Sequence, residues 1–548
     1  MNWNRLRPLA ALAVVALASV PGQARADSYV RISGEGSSWA ANAIDDMRVN
    51  VKQFGITVDY NPSGSSSGRK NWLNGTVDFA ASDIPFQFHP EDGSAPENPA
   101  PGSYAYIPVT AGGTSFMYNL HINGQRVTNL RLSGTNVAKI FTEKITKWND
   151  PAIQADNPGL TMPDRPIVPV VRSDGSGSSA QFSNWMIHTH NDVWMDFCQR
   201  SGRAPACGFT SYYPTVTGMI AQNGDLGVAS YVSQNFADGA IGYVNYSYAI
   251  NQGFPVAKVL NGAGYYTEPT PENVAVSLLK ARINQDANSA DYLTQILDDV
   301  YTDTDPRNYQ LSSYSYFILP TTVHGQFNAD KGKTLGKFMY YAMCEAQQRS
   351  ASLGYSPLPI NLAQEGLDQI KKIPGVVVED VDITKCKNPT FSPDGTNLLA
   401  DHAPQPQACD QQGANQCPDG TGGAKKVKTA VKPTASGGQG QRGPTGTTAS
   451  KGGATKAATS SGSSGGTTPV TAADGSTVLA ADNTASGSLG GSANAADPVA
   501  SPVVLTAPAG WSAAQSLIVL IGLFICALVI APPLLWSRLV GDRRKTLS

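Results

Sequence analysis

From Thr421 to Gly510 the chain is almost devoid of large apolar side chains, and a stretch of that composition cannot bury a core. Any globular fold is therefore confined to what precedes it. Of the 548 residues, 27–400 read as ordinary globular sequence. The region 421–510, rich in Gly, Ser and Thr, is expected to be a disordered linker. Its end-to-end distance as a flexible coil is about 50 Å. Gly shows no period of three there, which excludes a collagen-like segment.

The two ends indicate the compartment. Arg5 and Arg7 precede the apolar run Pro8–Val20 and then Ala24-Arg25-Ala26. That is the pattern of a secretory signal peptide over residues 1–26, too short to span a bilayer comfortably. No Cys follows the apolar run, so a lipid anchor is not available there. Ala513–Trp536 is 24 residues without a charge, and a transmembrane helix is expected over 511–537. Arg538, Arg543, Arg544 and Lys545 in the tail 538–548 stay cytoplasmic by the positive-inside rule.

The formal net charge is −2. Loss of Arg5, Arg7 and Arg25 with the leader makes it −5, and setting aside the tail, with its four cations against Asp542, leaves −8 outside. No Lys/Arg stripe marks a nucleic-acid binder. An anion site must then rest on local donors. Cysteine usage suits export. The simplest of the 15 pairings of six cysteines joins Cys198 to Cys207, Cys344 to Cys386 and Cys409 to Cys417. The last would close a small loop region over 393–420.

Short β-type runs alternate with helical patterns between 27 and 392. Thr57–Tyr60, Val77–Ala81 and Ile167–Arg172 read as strands. Val137, Ile140 and Phe141, and again Phe182, Trp185 and Met186, have helical spacing; Ala275–Ile283 and Leu335–Ala346 read as further helices. This alternation predicts α/β layers with parallel strands, and the chain is long enough for two lobes.

Three Gly/Ser clusters fall between a strand-like and a helix-like run: Gly34–Trp39, Gly64–Gly68 and Asp174–Ser179. Each can set backbone N–H groups and small hydroxyls at a helix start, where the dipole and orphan donors favour an anion. One such cluster is an ordinary cap or turn; three in the same context point to a site. Arg172 ends a strand with Asp174 two residues on, so a carboxylate can hold a guanidinium that faces an oxyanion. Asp83 also ends a strand. A carboxylate is acceptor-only, so it suits an anion that carries a proton, as hydrogen phosphate does and sulfate does not.

These stretches, with Tyr60–Lys70, Val77–Pro85, Gly112–Leu120, Ile140–Leu160, Val171–Ser179 and Gly239–Tyr248, resemble the substrate-binding proteins of bacterial phosphate ABC transporters, the PstS-like family. The resemblance covers roughly residues 30–375. It implies a two-lobed periplasmic-binding-protein fold of type II with a hinge. Lobe 1 would comprise about 27–110 plus 265–392, and lobe 2 about 111–264. It also implies a phosphate site. Ser38 stands where the family has a Thr that binds through N–H and hydroxyl. Trp39 stands for a Phe that gives its N–H. Ser65 donates and Asp83 accepts the phosphate proton. Arg172 pairs with the oxyanion, Asp174 orients it, and Ser176, Gly177 and Ser178 donate from a helix start. The implied partners are inorganic phosphate and an ABC permease, with the membrane reached through the C-terminal helix. No cofactor, metal or nucleic acid is implied. The tail beyond about residue 390 lies outside the resemblance and replaces a lipid anchor or a free form.

Other readings compete. Gly64-Ser65-Ser66-Ser67-Gly68 satisfies G-x-S-x-G with Ser66 as nucleophile, but no motif frames His188, His190 or His324 as its base. His188 and His190, two residues apart on a helix, point apart and share no metal. Position 327 is Phe, so Lys333-Thr334 completes no phosphate-binding loop of an ATPase. A binder of sulfate or molybdate shares the helix-start argument, and Asp83 discriminates against it. A surface adhesin or spacer would use the tether but leaves Asp83, Arg172 and Asp174 without a role.

Overall fold

The computed structural model describes residues 29–432 apart from Ala414. The expected signal peptide, the linker beyond Lys432, the 511–537 helix and the basic tail lie outside the described residues. Among the described residues no helix is long and apolar enough to cross a membrane.

One mixed sheet of eight strands organises the chain. Its strands are β1 (Ile32–Gly36), β2 (Val58–Asn61), β3 (Phe79–Ser82), β4 (Tyr104–Tyr118), β5 (Val168–Arg172), β6 (Ile220–Gln222), β7 (Ala240–Asn245) and β8 (Ser312–Pro320). They lie in the order β2-β1-β3-β8-β4-β7-β5-β6. β1 runs parallel to β2 and β3, and β5 runs parallel to β6 and β7. Each parallel set needs helical crossovers, and these follow: α1 (Ala41–Asn50), α2 (Ser65–Leu73), α3 (Gly134–Phe141), α4 (Gly177–Thr189) and α5 (Gly224–Val232). Later come α6 (Pro271–Leu278) and α7 (Ala329–Met343).

The long β4 ties the two sets together. Tyr104–Gly113 pairs antiparallel with β8, and Thr114–Tyr118 pairs antiparallel with β7. The strand therefore changes partner between Gly113 and Thr114, and there the chain passes from the first lobe to the second. The β4–β8 register shifts between Ser315 and Tyr316, opposite Pro108, which has no N–H for the ladder. Phe79, Ile107, Phe317 and Phe338 on one side and Phe116, Phe141, Phe182 and Tyr243 on the other form one continuous buried cluster.

Helix starts follow local chemistry. The Ser133 side chain accepts from Asn136 N–H at the head of α3, whose Val137, Ile140 and Phe141 are all buried. Burying each such side chain contributes about 1.5–3 kcal/mol. The helix expected over 275–283 instead runs Pro271–Leu278, because Thr270 caps it, Pro271 takes the first position, and Arg282–Ile283 pairs as a short strand with Gln295–Ile296. The helix expected over 335–346 starts earlier, at Ala329 behind the Asn328 cap, and ends at Met343.

The three expected disulfides form: Cys198–Cys207, Cys344–Cys386 and Cys409–Cys417. Two segments bear on the expected boundaries. The short helix Asp298–Thr302, within the stretch expected in lobe 1, makes a contact across the lobes: it packs on α4, where Tyr301 Oη accepts from Asn184, while the preceding Gln295 donates to Tyr314 O of β8. The chain from Thr421 does not leave the fold at once. Thr421 is fully buried, its N–H donates to Thr128 O (3.1 Å), and Lys432 N–H donates to Gly159 O (2.8 Å). Polar composition excludes a core of its own but not docking by hydrogen bonds onto a lobe already built.

Candidate functional site

Five turns meet where the two lobes face each other, each at the carboxyl end of a parallel strand, the end of an α/β sheet at which ligands bind. The first lobe supplies the β1–α1 turn with Ser38 and Trp39, the β2–α2 turn with Ser65, and Asp83 just after β3. The second supplies the β5–α4 turn, from Arg172 through Asp174 to Ser178, and the β6–α5 turn. All nine residues expected at the site are buried, and hydrogen bonds join six of them, Arg172 with Asp174, Ser178 and Ser176 in one group and Ser65 with Asp83 in another.

The helix starts leave donors open. Ser176 caps α4 by accepting from Ser179 N–H (3.1 Å), and its Oγ lies 2.8 Å from Ser178 Oγ. The N–H groups of Gly177 and Ser178, like those of Ser38 and Trp39 ahead of α1, meet no acceptor among the described residues. Two helix dipoles add positive potential at the same place. Gly64, at φ 99°, starts α2; a side chain there would collide with Asp174 Oδ2. Its absence lets the lobes touch, with Ser66 N–H donating to Gly175 O (2.9 Å) and Gln181 Nε2 to Asp83 O (2.9 Å).

Asp83 is the carboxylate of the first lobe. Its Oδ1 accepts from Ser37 Oγ (2.6 Å) and Ser315 Oγ (2.8 Å), and its Oδ2 accepts from Ser65 Oγ at a longer 3.2 Å. Burial pushes its carboxyl above the usual range despite the hydroxyl donors. Arg172 lies across from it. Nε and Nη2 donate to the two oxygens of Asp174 (2.8 and 2.5 Å), so the fork goes to the orienting carboxylate. The Nη1 edge donates to Ser178 Oγ (3.2 Å) and to Asp225. Burial works to raise the Asp174 carboxyl, but the hydrogen bonds and charge of Arg172 outweigh it and hold the group below the usual range. Trp39 turns its ring away from this cluster and donates from the indole to Thr114 Oγ1 (3.1 Å), so only its backbone faces the turn.

Comparison with known proteins agrees with this architecture. The model of a PBP superfamily domain matches residues 20–345. The phosphate-binding protein PstS of Xylella fastidiosa (strain Temecula1) is 30% identical over 348 residues, 63% of this chain and 86% of its own. That of Pasteurella multocida is 32% identical over 57% of this chain and 82% of its own, and PstS 2 of Mycobacterium tuberculosis 31% over 56% and 76%. The chain is a PstS-like member of the PBP superfamily.

Within this PstS-like site the sequence reading missed Asp225 and Ser315. Asp225 opens α5 and is wholly buried. Its Oδ2 accepts from Ser38 Oγ (2.7 Å) as well as from Arg172, its Oδ1 from Asn245 N–H (2.8 Å), and its own N–H donates back to Ser38 Oγ (3.0 Å). The run Asn223-Gly224-Asp225 ahead of an apolar stretch reads only as a helix start. Ser315 sits at the β8 register shift, and nothing beside it in sequence marks it. Gly34–Gly36, expected as loop, lies in β1 and pairs with Phe79–Ala81. Ser66 meets Arg69 at 3.4 Å and no histidine; His188 pairs with Asp298, and His324 packs on Trp72.

Proposed function

We propose that this protein captures inorganic phosphate outside the cytoplasm and delivers it to an ABC permease, with no bond made or broken. The supporting observation is Asp83, an acceptor-only carboxylate packed beside Gly177 and facing open N–H groups and hydroxyls, while the other two carboxylates of the site, Asp174 and Asp225, are engaged by Arg172. The N–H groups of Ser38, Trp39, Gly177 and Ser178 and the hydroxyls of Ser38, Ser65 and Ser178 donate to phosphate oxygens. Ser176 holds the α4 start in place. Arg172 offers its Nη1 edge while Asp174 keeps the guanidinium oriented. Asp83 accepts the proton that phosphate carries, and sulfate would leave that lone pair facing an anion. The names of the relatives support the same ligand. The expected leader and the apolar run 511–537 support a tethered form, with the folded part outside and the basic tail inside.

Calorimetric titration of the full chain with phosphate and then sulfate, before and after Asp83→Asn, tests this reading. The native protein is expected to bind phosphate and give no heat with sulfate. Loss of a charge-assisted hydrogen bond, about 1.5–3 kcal/mol, should weaken phosphate about ten- to hundredfold in the variant and admit sulfate. No phosphate heat from the native protein would end the phosphate reading. Equal binding of sulfate would favour a general oxyanion binder.

A further inference from the structure

We propose that Asp225 competes with phosphate for Ser38 and Arg172, and that phosphate enters the site together with a solvent proton that neutralises this carboxyl. The inference rests on the phosphate reading and adds a specificity residue to it. Ser38 has one hydroxyl hydrogen, and Asp225 Oδ2 takes it at 2.7 Å. Arg172 directs two donors to Asp174, and its remaining edge is shared by Ser178 and the same Oδ2. The ionised Asp225 therefore holds two donors that an anion needs.

Charge points the same way. Among the described residues Arg172 is the one cation in contact with Asp174 or Asp225 in this buried cluster, and a phosphate anion would add to three carboxylates. The groups that face Asp225 are Arg172 from β5, Asp174 from the turn after it, Ser38 and Asp83 from the first lobe, and the phenols of Tyr248 and Tyr355. Both phenols are pushed up by burial and stay neutral. Asp174 is held ionised by the fork of Arg172, and Asp83 must stay ionised to accept the ligand's proton. Burial pushes both Asp83 and Asp225 up, and it is Asp225 whose Oδ2 occupies the Ser38 hydroxyl and the Arg172 edge, so Asp225 is left as the carboxyl that takes up the solvent proton. Once neutral, it releases the Ser38 hydroxyl and Nη1, and its own O–H becomes a donor.

The test is calorimetry of the full chain with inorganic phosphate at pH 8, in buffers of different ionisation enthalpy, for the native protein and Asp225→Asn. The titration of phosphate itself is common to both. The native protein is expected to take up about one more proton per phosphate than the variant. Its affinity should accordingly rise more steeply as pH falls from 8 to 6, by up to about tenfold per pH unit. Equal proton uptake in two proteins that both bind would overturn the proposal. Should the variant fail to fold or bind, infrared difference spectra of the native protein decide: added phosphate must produce a new protonated-carboxyl band, and its absence overturns the proposal. A native protein that binds no phosphate is a separate result, which removes the phosphate reading and this one with it.

Discussion

Arg172 sits between Asp174 and Asp225 with all three side chains buried, and the consequences of removing it are unequal. Breaking a buried pair by deleting one partner costs about 3–5 kcal/mol, because a carboxylate is left without its cation. Arg172→Met is therefore expected to lower the melting temperature sharply, and adding Asp225→Asn to recover part of the loss; a double variant as unstable as the single would refute the pairing. The three carboxyls also set a pH profile. Asp83 and Asp225 titrate above the unfolded value of about 3.9, so the folded protein binds more protons than the unfolded one in that window. Stability contributed by these two groups should therefore rise as pH falls through their raised folded-state range towards the unfolded value. Asp174 titrates below its unfolded value, so its contribution, present above about pH 4, is lost at lower pH. Melts across pH check both limbs, and Asp83→Asn should flatten the first. At this scale legibility followed local context. Arg172, Asp174 and Asp83 end strands in short polar turns and could be read, whereas Asp225 and Ser315 reach the site through pairings that span tens to hundreds of residues.

Helix starts do at the element scale what single charges do at the residue scale, and the join of the β5–α4 turn with the first lobe is tight. A Cβ on Gly177 would lie 2.5 Å from Ser65 Oγ and 2.7 Å from Asp83 Oδ2. Gly177→Ala should leave α4 intact, since its φ is not positive and Ala favours helix. Overpacking costs about 1–3 kcal/mol, and here the strain falls on the contact between lobes. Phosphate affinity is expected to fall about five- to a hundredfold with the melting temperature almost unchanged. A variant that binds as tightly as the native protein would show that the lobes need not approach this closely. The Gly/Ser clusters were legible because a strand, a small-residue turn and a helix leave a compositional trace. The bounds of β1 and α6 were less so: the parallel pairing of Gly34–Gly36 with β3, like the hairpin that ends the α6 region, is decided by distant partners.

The chain after residue 380 crosses from one lobe to the other, which composition did not foretell. Cys344–Cys386 fastens it beside α7, and the short helix Leu398–Asp401 packs on α6 while Arg307 donates to Ala400 O (3.0 Å). It then reaches the second lobe. There the loop closed by Cys409–Cys417 offers carbonyls to Arg131 (Asn415 O, 2.8 Å) and Asn129 (Cys417 O, 2.7 Å), and Asp410 meets Lys258 Nζ at 2.8 Å. Arg131 is almost wholly buried and depends on these acceptors. A buried donor left without its partner costs about 1–3 kcal/mol, so the strap belongs to the stability of the second lobe. A chain ending at Ser392 should therefore melt lower than one ending at Lys432. The loss of hydrogen-exchange protection should concentrate at Thr128–Leu132 and Lys258–Leu260, the segments the strap covers, while β1–β3 of the first lobe keep theirs. Protection lost evenly across both lobes would mean that the strap supports the fold as a whole; unchanged protection would mean that these contacts contribute nothing to it.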